Sequence, residues 1–422
     1  MTGHNSSSKI SLTLTVLLGF VLFQPVFSQE DAGYSDDTSR DTVRVRVFSL
    51  IRPNKIIMLA HSSTLHTEII LSKRRKITLR TKSQLLLSFG QNESLWVYSD
   101  NILIHKGAWQ WISVKSPNHR PISLGCEIIP ARPYQGSFQI SKIQKRPGES
   151  AERVIINKVS FQDYLVSVVS AEMGVLAKST ESLKAQAIVS RSYAKHYLGR
   201  HSMSGADFCD STHCQVYLGA KHQNNRVLQS VSESRNSYIT HENNIIPAYY
   251  HSTCGGHTSS LAEAWGDYSK PYLVGVKDSD PAGKAYCRES PHYNWTAKIP
   301  KDSLSQLIWR EGSQFGDLKD IGWSRSSTGR VKRVLFRRAS ATRSLSGEQF
   351  RIVVGRRLGW NLIKSTRFNT RNLGETLLFK GRGLGHGIGL CQYGAINMGN
   401  IGKSHREILE HYYPKTTISL RP

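Results

Sequence analysis

The chain has 422 residues, 39% of them hydrophobic and 9% aromatic, with 14 prolines. This globular composition has room for one large domain or two or three smaller ones, and it excludes a disordered or fibrous protein. A formal net charge of +25 favours a polyanionic partner, which leaves nucleic acid, an anionic membrane surface and an acidic cell-wall polymer open.

At the N-terminus, Lys9 precedes an apolar stretch from Ile10 to Phe23. Gln24 and Pro25 break it, and Val26-Phe27-Ser28 places a small residue before Gln29. Residues 1–28 therefore read as a secretory signal peptide, either cleaved or kept as a membrane anchor. The stretch is shorter and more polar than the roughly 18 apolar residues of a span. Export to the periplasm or cell envelope follows, and it removes nucleic acid from the partners. Residues 29–41 are acidic and polar and read as a linker.

From Thr42 short alternating runs begin. Val43, Val45 and Val47 alternate with Arg44 and Arg46, the pattern of a half-buried strand. Ile69–Leu71, Lys76–Arg80, Leu85–Phe89 and Leu95–Tyr98 continue it, and residues 42–130 form a β-rich N-terminal region. Phe138–Ile140 and Val154–Ile156 are further strands that lead into a helix from Ser160 to Gly174. Ser160 caps that helix with Asp163 three residues on, and Phe161, Leu165, Val168 and Val169 form its apolar stripe. Glu172 continues the stripe. An acid there costs free energy unless it is paired or protonated, so it is either a general acid with a raised pKa or half of a structural ion pair. A second helix runs from Thr180 to Leu198, with Leu183, Ala187, Ala194 and Leu198 buried and Gly199 as its stop. Lys301–Arg310 is a short helix. Residues 319–371 are rich in arginine and poor in acids, which suits a solvated strand face or a track for an anionic polymer. A glycine-rich loop, Gly381 to Gly394, precedes a last helix from Ser404 to Tyr412. The fold class is α+β, a mixed α/β catalytic domain over 131–422 behind the β-rich region.

Six cysteines are too few to scaffold a chain of this length. Cys209, His213 and Cys214 are close enough to ligate a structural zinc, given a fourth ligand, and the two cysteines equally suit a disulfide. His251, Cys254 and His257 form another close set, which Cys287 and His292 could join.

Four blocks carry a family resemblance. They are Ala171-Glu172-Met173 with Leu183 to Ala194, then Cys209 to Tyr217, Tyr250 to Thr258, and Gly381 to Ala395. Their order and spacing resemble the stage II sporulation protein D family, which includes amidase enhancers, over about Tyr134 to Ile418. The resemblance implies a peptidoglycan lytic transglycosylase that cuts MurNAc–GlcNAc linkages in denuded glycan strands, or a non-catalytic peptidoglycan-binding amidase enhancer partnered with a cell-wall amidase. It implies Glu172 as the catalytic acid, no required cofactor, and a zinc near Cys209 and Cys214 as in some relatives. Many members carry Ser at the position of Cys391, which implies that this thiol is not essential. Lys184 and Arg191, two turns apart on the second helix, either bind the lactyl carboxylate of muramic acid, face solvent, or hold Glu172. His386, Gln392 and Tyr393 supply hydrogen-bonding and stacking groups. The glycines around them either let a sugar chain approach closely or pack a buried turn.

Overall fold

The computed structural model describes residues 41–61, 64–90, 94–117, 120–144, 151–266, 269–309, 318–339 and 341–421. The signal-peptide stretch and nearly all of the linker lie outside them. Among the described residues no helix is long and apolar enough to cross a membrane.

The alternating runs pair into two large sheets. A seven-stranded sheet has the order 208–209, 42–47, 152–160, 137–143, 111–115, 65–72 and 75–81. A six-stranded sheet has the order 132–134, 122–126, 55–60, 84–89, 95–99 and 102–107. Strand Thr42–Val47 shows how burial sets the register. Val43, Val45 and Val47 enter the core, while Arg44 pairs with Asp207 at 2.9 Å and Arg46 with Glu152 at 2.5 Å on the other face. Thr42 lies opposite Ser160 in the antiparallel pairing with Glu152–Ser160. The sheet thus takes strands from both sides of residue 130, and its strand Glu152–Ser160 ends where the Glu172 helix begins.

That helix, α1 (Phe161–Val169), starts as its sequence requires. Ser160 Oγ accepts the Asp163 N–H at 3.0 Å, satisfying a donor that has no partner in the first turn. Leu165, Val168 and Val169 are fully buried. The regular helix stops at Val169, and a π-helical turn, Ser170–Gly174, carries Glu172. The wider turn replaces the regular continuation that the apolar stripe suggests, a local irregularity common where a side chain must be aimed.

Helix α2 (Thr180–His196) crosses behind it. Leu183, Ala187 and Ala194 pack into the core of the two sheets, and Ala185, Ile188 and Val189 into a second core with Leu390, Ala395 and Tyr412. Small side chains let one helix be covered on both sides. Gly199 beyond it takes φ +79°, a conformation that costs a glycine little. The sequence pattern gives no sign of helices α3 (Asn225–Glu233) and α4 (Leu261–Trp265), and α3 packs on α2. Helices α5 (Lys301–Trp309) and α6 (Gly347–Leu358) cover a third core with the sheets 295–300/376–381/368–372 and 320–325/331–337/342–346. Helix α7 (Gln392–Asn400) follows the glycine-rich loop directly, and α8 (His405–Tyr412) opens on a capping box of Ser404 and Glu407.

The arginine-rich stretch divides. Arg333, Arg337 and Arg343 lie on the exposed strand face, whereas Arg351 pairs with Glu348 in the interior, its Nε 2.9 Å from Oε2. The glycine-rich loop is packed against the segment before Gly255. A Cβ at Gly389 would lie 2.0 Å from the Tyr249 carbonyl, and one at Gly383 2.5 Å from the Thr253 carbonyl. The close approach is therefore between two stretches of the chain's own backbone.

Because Leu183 on α2 is fully buried in the first core, Leu183→Ala should lower the unfolding free energy by about 2–5 kcal/mol, measured by denaturant titration.

Candidate functional site

A cleft of about 330 Å³ opens where the π-helical turn, the 212–216 segment, strand 250–251 and the start of α7 converge. Glu172 is the only carboxylate among the described residues that line it. Its side chain is half-buried. Oε1 accepts the Val216 N–H at 3.0 Å and the Tyr250 hydroxyl at 3.0 Å, and Oε2 accepts Gln392 Nε2 at 3.0 Å. Burial raises the carboxyl pKa, and the three hydrogen bonds, which favour the ionised form, only partly oppose it. No cation bonds to Glu172 among the described ion pairs. Among the described residues the acid is not half of a salt bridge.

The surrounding bonds suit both protonation states. The Tyr250 hydroxyl also lies 3.1 Å from Gln215 Oε1. Having one hydrogen, it donates to Glu172 when that group is ionised. When Glu172 carries a proton on Oε1, the carboxyl donates to the tyrosine oxygen and the hydroxyl turns to Gln215. Gln215 is held by Nε2 bonds to the Tyr164 hydroxyl and the Ser190 carbonyl.

The walls are aromatic. Tyr193, Tyr197, Tyr249, Trp265 and Tyr393 line the cleft, with the Trp265 ring centroid 4.9 Å from that of Tyr249 and 5.4 Å from that of His386. Burial lowers the His386 pKa to about 4, so the ring is neutral near pH 7. Its Nδ1 accepts the Ile388 N–H at 3.1 Å, which puts the proton on Nε2, and that nitrogen bonds the Tyr250 backbone. His386 therefore offers the cleft a ring face rather than a polar atom. His251, also buried, donates from Nδ1 to the Ile388 carbonyl, and its Nε2 has no hydrogen-bond partner among the described residues. Half-buried Tyr393 presents its ring as expected. Gln392 lines the cleft too, but its amide is spent on Glu172.

Lys184 and Arg191 do not reach this cleft. Lys184 Nζ lies 3.0 Å from Glu181 and 2.7 Å from Glu233. Arg191 is buried, with Nη1 bonded to the Ser237 carbonyl and Nη2 to the Val231 carbonyl. The reason is α3, a helix not evident from the sequence pattern, whose end supplies Glu233 and the Val231 carbonyl. Reading either cation as a carboxylate-binding group or as the partner of Glu172 is corrected. The cation that lines the cleft is Arg200 just beyond α2. Its Nη1 donates to the Tyr193 hydroxyl at 2.8 Å and its guanidinium lies 4.9 Å from the Tyr197 ring centroid.

Cys209, His213 and Cys214 do come together, and the fourth donor is His201, which lies in the turn after α2. The four ligand atoms lie within 4.8 Å of one another. His201 Nε2 is 3.3 Å from Cys214 Sγ, and His213 Nδ1 is 3.6 Å from Cys209 Sγ and 3.7 Å from Cys214 Sγ. A tetrahedral zinc with ordinary Zn–S and Zn–N bonds would separate its ligands by roughly 3.4–3.8 Å. The set has the donors and the spacing for that ion, and both cysteines are unpaired thiols. Nothing near Cys209 in sequence points to His201. The other sequence grouping dissolves. His251 faces His386, and His257 Nδ1 bonds the Thr258 carbonyl. Cys254 and Cys287 lie deeper, beside Cys391 and Asp278.

Residues 149–241 match the family model described as stage II sporulation protein. This match and the relatives below support a likeness to the stage II sporulation protein D and amidase-enhancer family. It is 26% identical to stage II sporulation protein D of Bacillus subtilis over 318 residues, 71% of this chain and 83% of that one. It is 28% identical over 262 residues to an uncharacterized protein of Brachyspira hyodysenteriae, covering 62% and 67% of the two chains. The amidase enhancer of Bacillus subtilis is 26% identical over 281 residues, which span 57% of this chain and 38% of that protein. Likeness to this family supports a cell-wall-related role. The matched segment holds Glu172, α2 and the Cys209–Cys214 set, whereas Tyr250 and Gln392 lie outside it.

Since the Tyr250 hydroxyl stabilises the carboxylate, Tyr250→Phe should raise the Glu172 pKa further, and the protonated fraction near neutral pH should grow. Carboxyl-carbon NMR titration of Glu172 measures this.

Proposed function

We propose that the protein is a lytic transglycosylase of peptidoglycan, exported to the cell envelope, that cleaves MurNAc–GlcNAc linkages in denuded glycan strands. The single observation that carries this reading is one acid, with a raised pKa, at the wall of an aromatic cleft that holds no second carboxylate among the described residues. Ordinary glycosidases need two carboxyl groups. One suffices when the nucleophile belongs to the substrate. The Glu172 proton passes to the glycosidic oxygen as the C1–O bond breaks. The resulting carboxylate takes the proton of the muramyl 6-hydroxyl as that oxygen bonds to C1, leaving a 1,6-anhydro end and restoring the acid. The flexible bonding of Tyr250 supports both halves of this cycle. The Tyr and Trp faces suit stacking on sugar rings, and Arg200 suits the lactyl carboxylate of muramic acid in place of Lys184 and Arg191.

The zinc suited to His201, Cys209, His213 and Cys214 would brace a loop rather than supply chemistry. Its ligand Cys214 stands two residues before Val216, whose N–H holds Glu172. A second reading, a non-catalytic peptidoglycan-binding module that enhances an amidase, draws on the relative of that name. Binding to sacculi by wild type and Glu172→Gln alike, with glycan cleavage by neither, would favour it.

Digestion of denuded glycan followed by mass spectrometry tests the proposal. Wild type should release anhydro-muramyl ends, and Glu172→Gln should lose roughly 10²–10⁴-fold in rate. Hydrolysed reducing ends would sink the lytic reading. Arg200→Ala should raise KM for peptide-free strands with little change in kcat, read from initial rates over a range of glycan concentration.

A further inference from the structure

Behind the cleft lies a second group of donors with no role in the chemistry above. Cys254, Cys287, Cys391 and Asp278 are each fully buried, and their ligand atoms lie within 4.8 Å of one another. Cys254 Sγ is 3.5 Å from Cys287 Sγ and 2.9 Å from Asp278 Oδ2. The residues come from four places in the chain: the loop after strand 250–251, the 278 segment, the 286–289 turn, and the two-residue strand ahead of α7. From the geometry we infer that these four residues form a structural site for one tetrahedral zinc ion.

Three observations carry this. First, Asp278 needs a counter-charge. Its oxygens meet the Tyr412 hydroxyl at 2.6 Å and the Cys254 thiol at 2.9 Å, and no lysine or arginine pairs with it among the described ion pairs. A wholly buried carboxylate supported by neutral donors is expensive, and a divalent ion removes that cost. Second, backbone N–H groups point at sulfur. Gly256 N–H reaches Cys254 Sγ at 3.2 Å, and Cys254 N–H reaches Cys391 Sγ at 3.2 Å. Such donors stabilise thiolates more than thiols. Third, the surroundings are shaped around the cluster. A Cβ at Gly394 would lie 2.9 Å from both Asp278 oxygens and 2.0 Å from the Tyr412 hydroxyl, so only glycine lets α7 pass the carboxylate. The buried Arg330 guanidinium, 2.9 Å from the Cys254 carbonyl, adds positive charge beside an anionic site.

Three soft sulfurs with one carboxylate oxygen suit zinc, which accepts both donor types in tetrahedral geometry. The sulfurs would bind the ion as thiolates, with their protons released to solvent. A Cys254–Cys287 disulfide would use two of the four donors and leave Asp278 and Cys391 buried without a partner of opposite charge. The site has a positional consequence as well. Cys391 is bonded in sequence to Gln392, and Cys254 follows Tyr250 by four residues. The ion would pin the two side chains that hold Glu172.

Metal content measured by mass spectrometry on the full chain, folded and dialysed with zinc present, tests this without any glycan substrate. Its failure is therefore separable from failure of the lytic reading. Wild type should carry two zinc ions, one in the His201 set and one here. Cys209→Ser and Cys391→Ser should each lose one. Asp278→Asn, which keeps the shape and removes the charge, should give up its second ion to a chelator that leaves wild type loaded. It answers the question if Cys391→Ser does not fold. A wild-type count of one that survives Cys391→Ser and Asp278→Asn would overturn the assignment. So would a Cys254–Cys287 disulfide in non-reducing peptide maps.

Discussion

The structure depends on keeping one carboxylate half out of water without giving it a cation. Glu172 is held by a backbone N–H, a tyrosine hydroxyl and a glutamine amide, three neutral donors from three distant segments. A lysine or arginine in their place would lock the group in its ionised form, because an opposite charge nearby lowers a carboxyl pKa. Neutral donors hold its position while burial keeps its proton affinity high. Among the described residues, Lys184, Arg191 and Arg200 are bonded elsewhere: Lys184 to two glutamates, Arg191 to the Val231 and Ser237 carbonyls, and Arg200 to Tyr193.

The donors themselves need support, since a carboxylate is only as well placed as the groups that bond it. Val216 follows the Cys209–Cys214 loop, and Gln392 and Tyr250 flank the Cys391 and Cys254 positions. Five of the six cysteines thus stand within a few residues of a Glu172 donor or in contact with a cysteine that does. A metal ion held at either of these positions would act on Glu172 by positioning its donors through the backbone.

The glycine-rich loop has the same logic. Parallel pairing of Tyr250 with Leu390 and of His251 with Cys391 brings two loops together, and side chains at Gly383 or Gly389 would separate them. With the loops apart, Tyr250 and Gln392 could not meet at one carboxylate. The fixed His386 ring, bonded through both nitrogens to main chain, belongs to this packing as much as to the cleft wall.

Much of this was legible in the chain alone. Alternation of valine with arginine, the Ser160 cap, the two helices around Glu172 and the α+β class follow from local periodicity and hydrogen bonding, which depend on near neighbours. An acid at the end of an apolar stripe marked Glu172 for the same reason. Helix α3 was not legible: its short apolar pattern, Val227 and Val231, is weak without the α2 surface that buries it, and the partners of Lys184 and Arg191 were hidden with it. His201, Arg200, Tyr250 as a donor and the Asp278 cluster were equally hidden, because contacts between residues tens to hundreds of positions apart leave no local periodicity. The sequence by itself determined the alternating strands, the two helices around Glu172 and which acid is out of place. Only the tertiary structure decided what surrounds that acid, since desolvation and hydrogen bonding depend on distance in space.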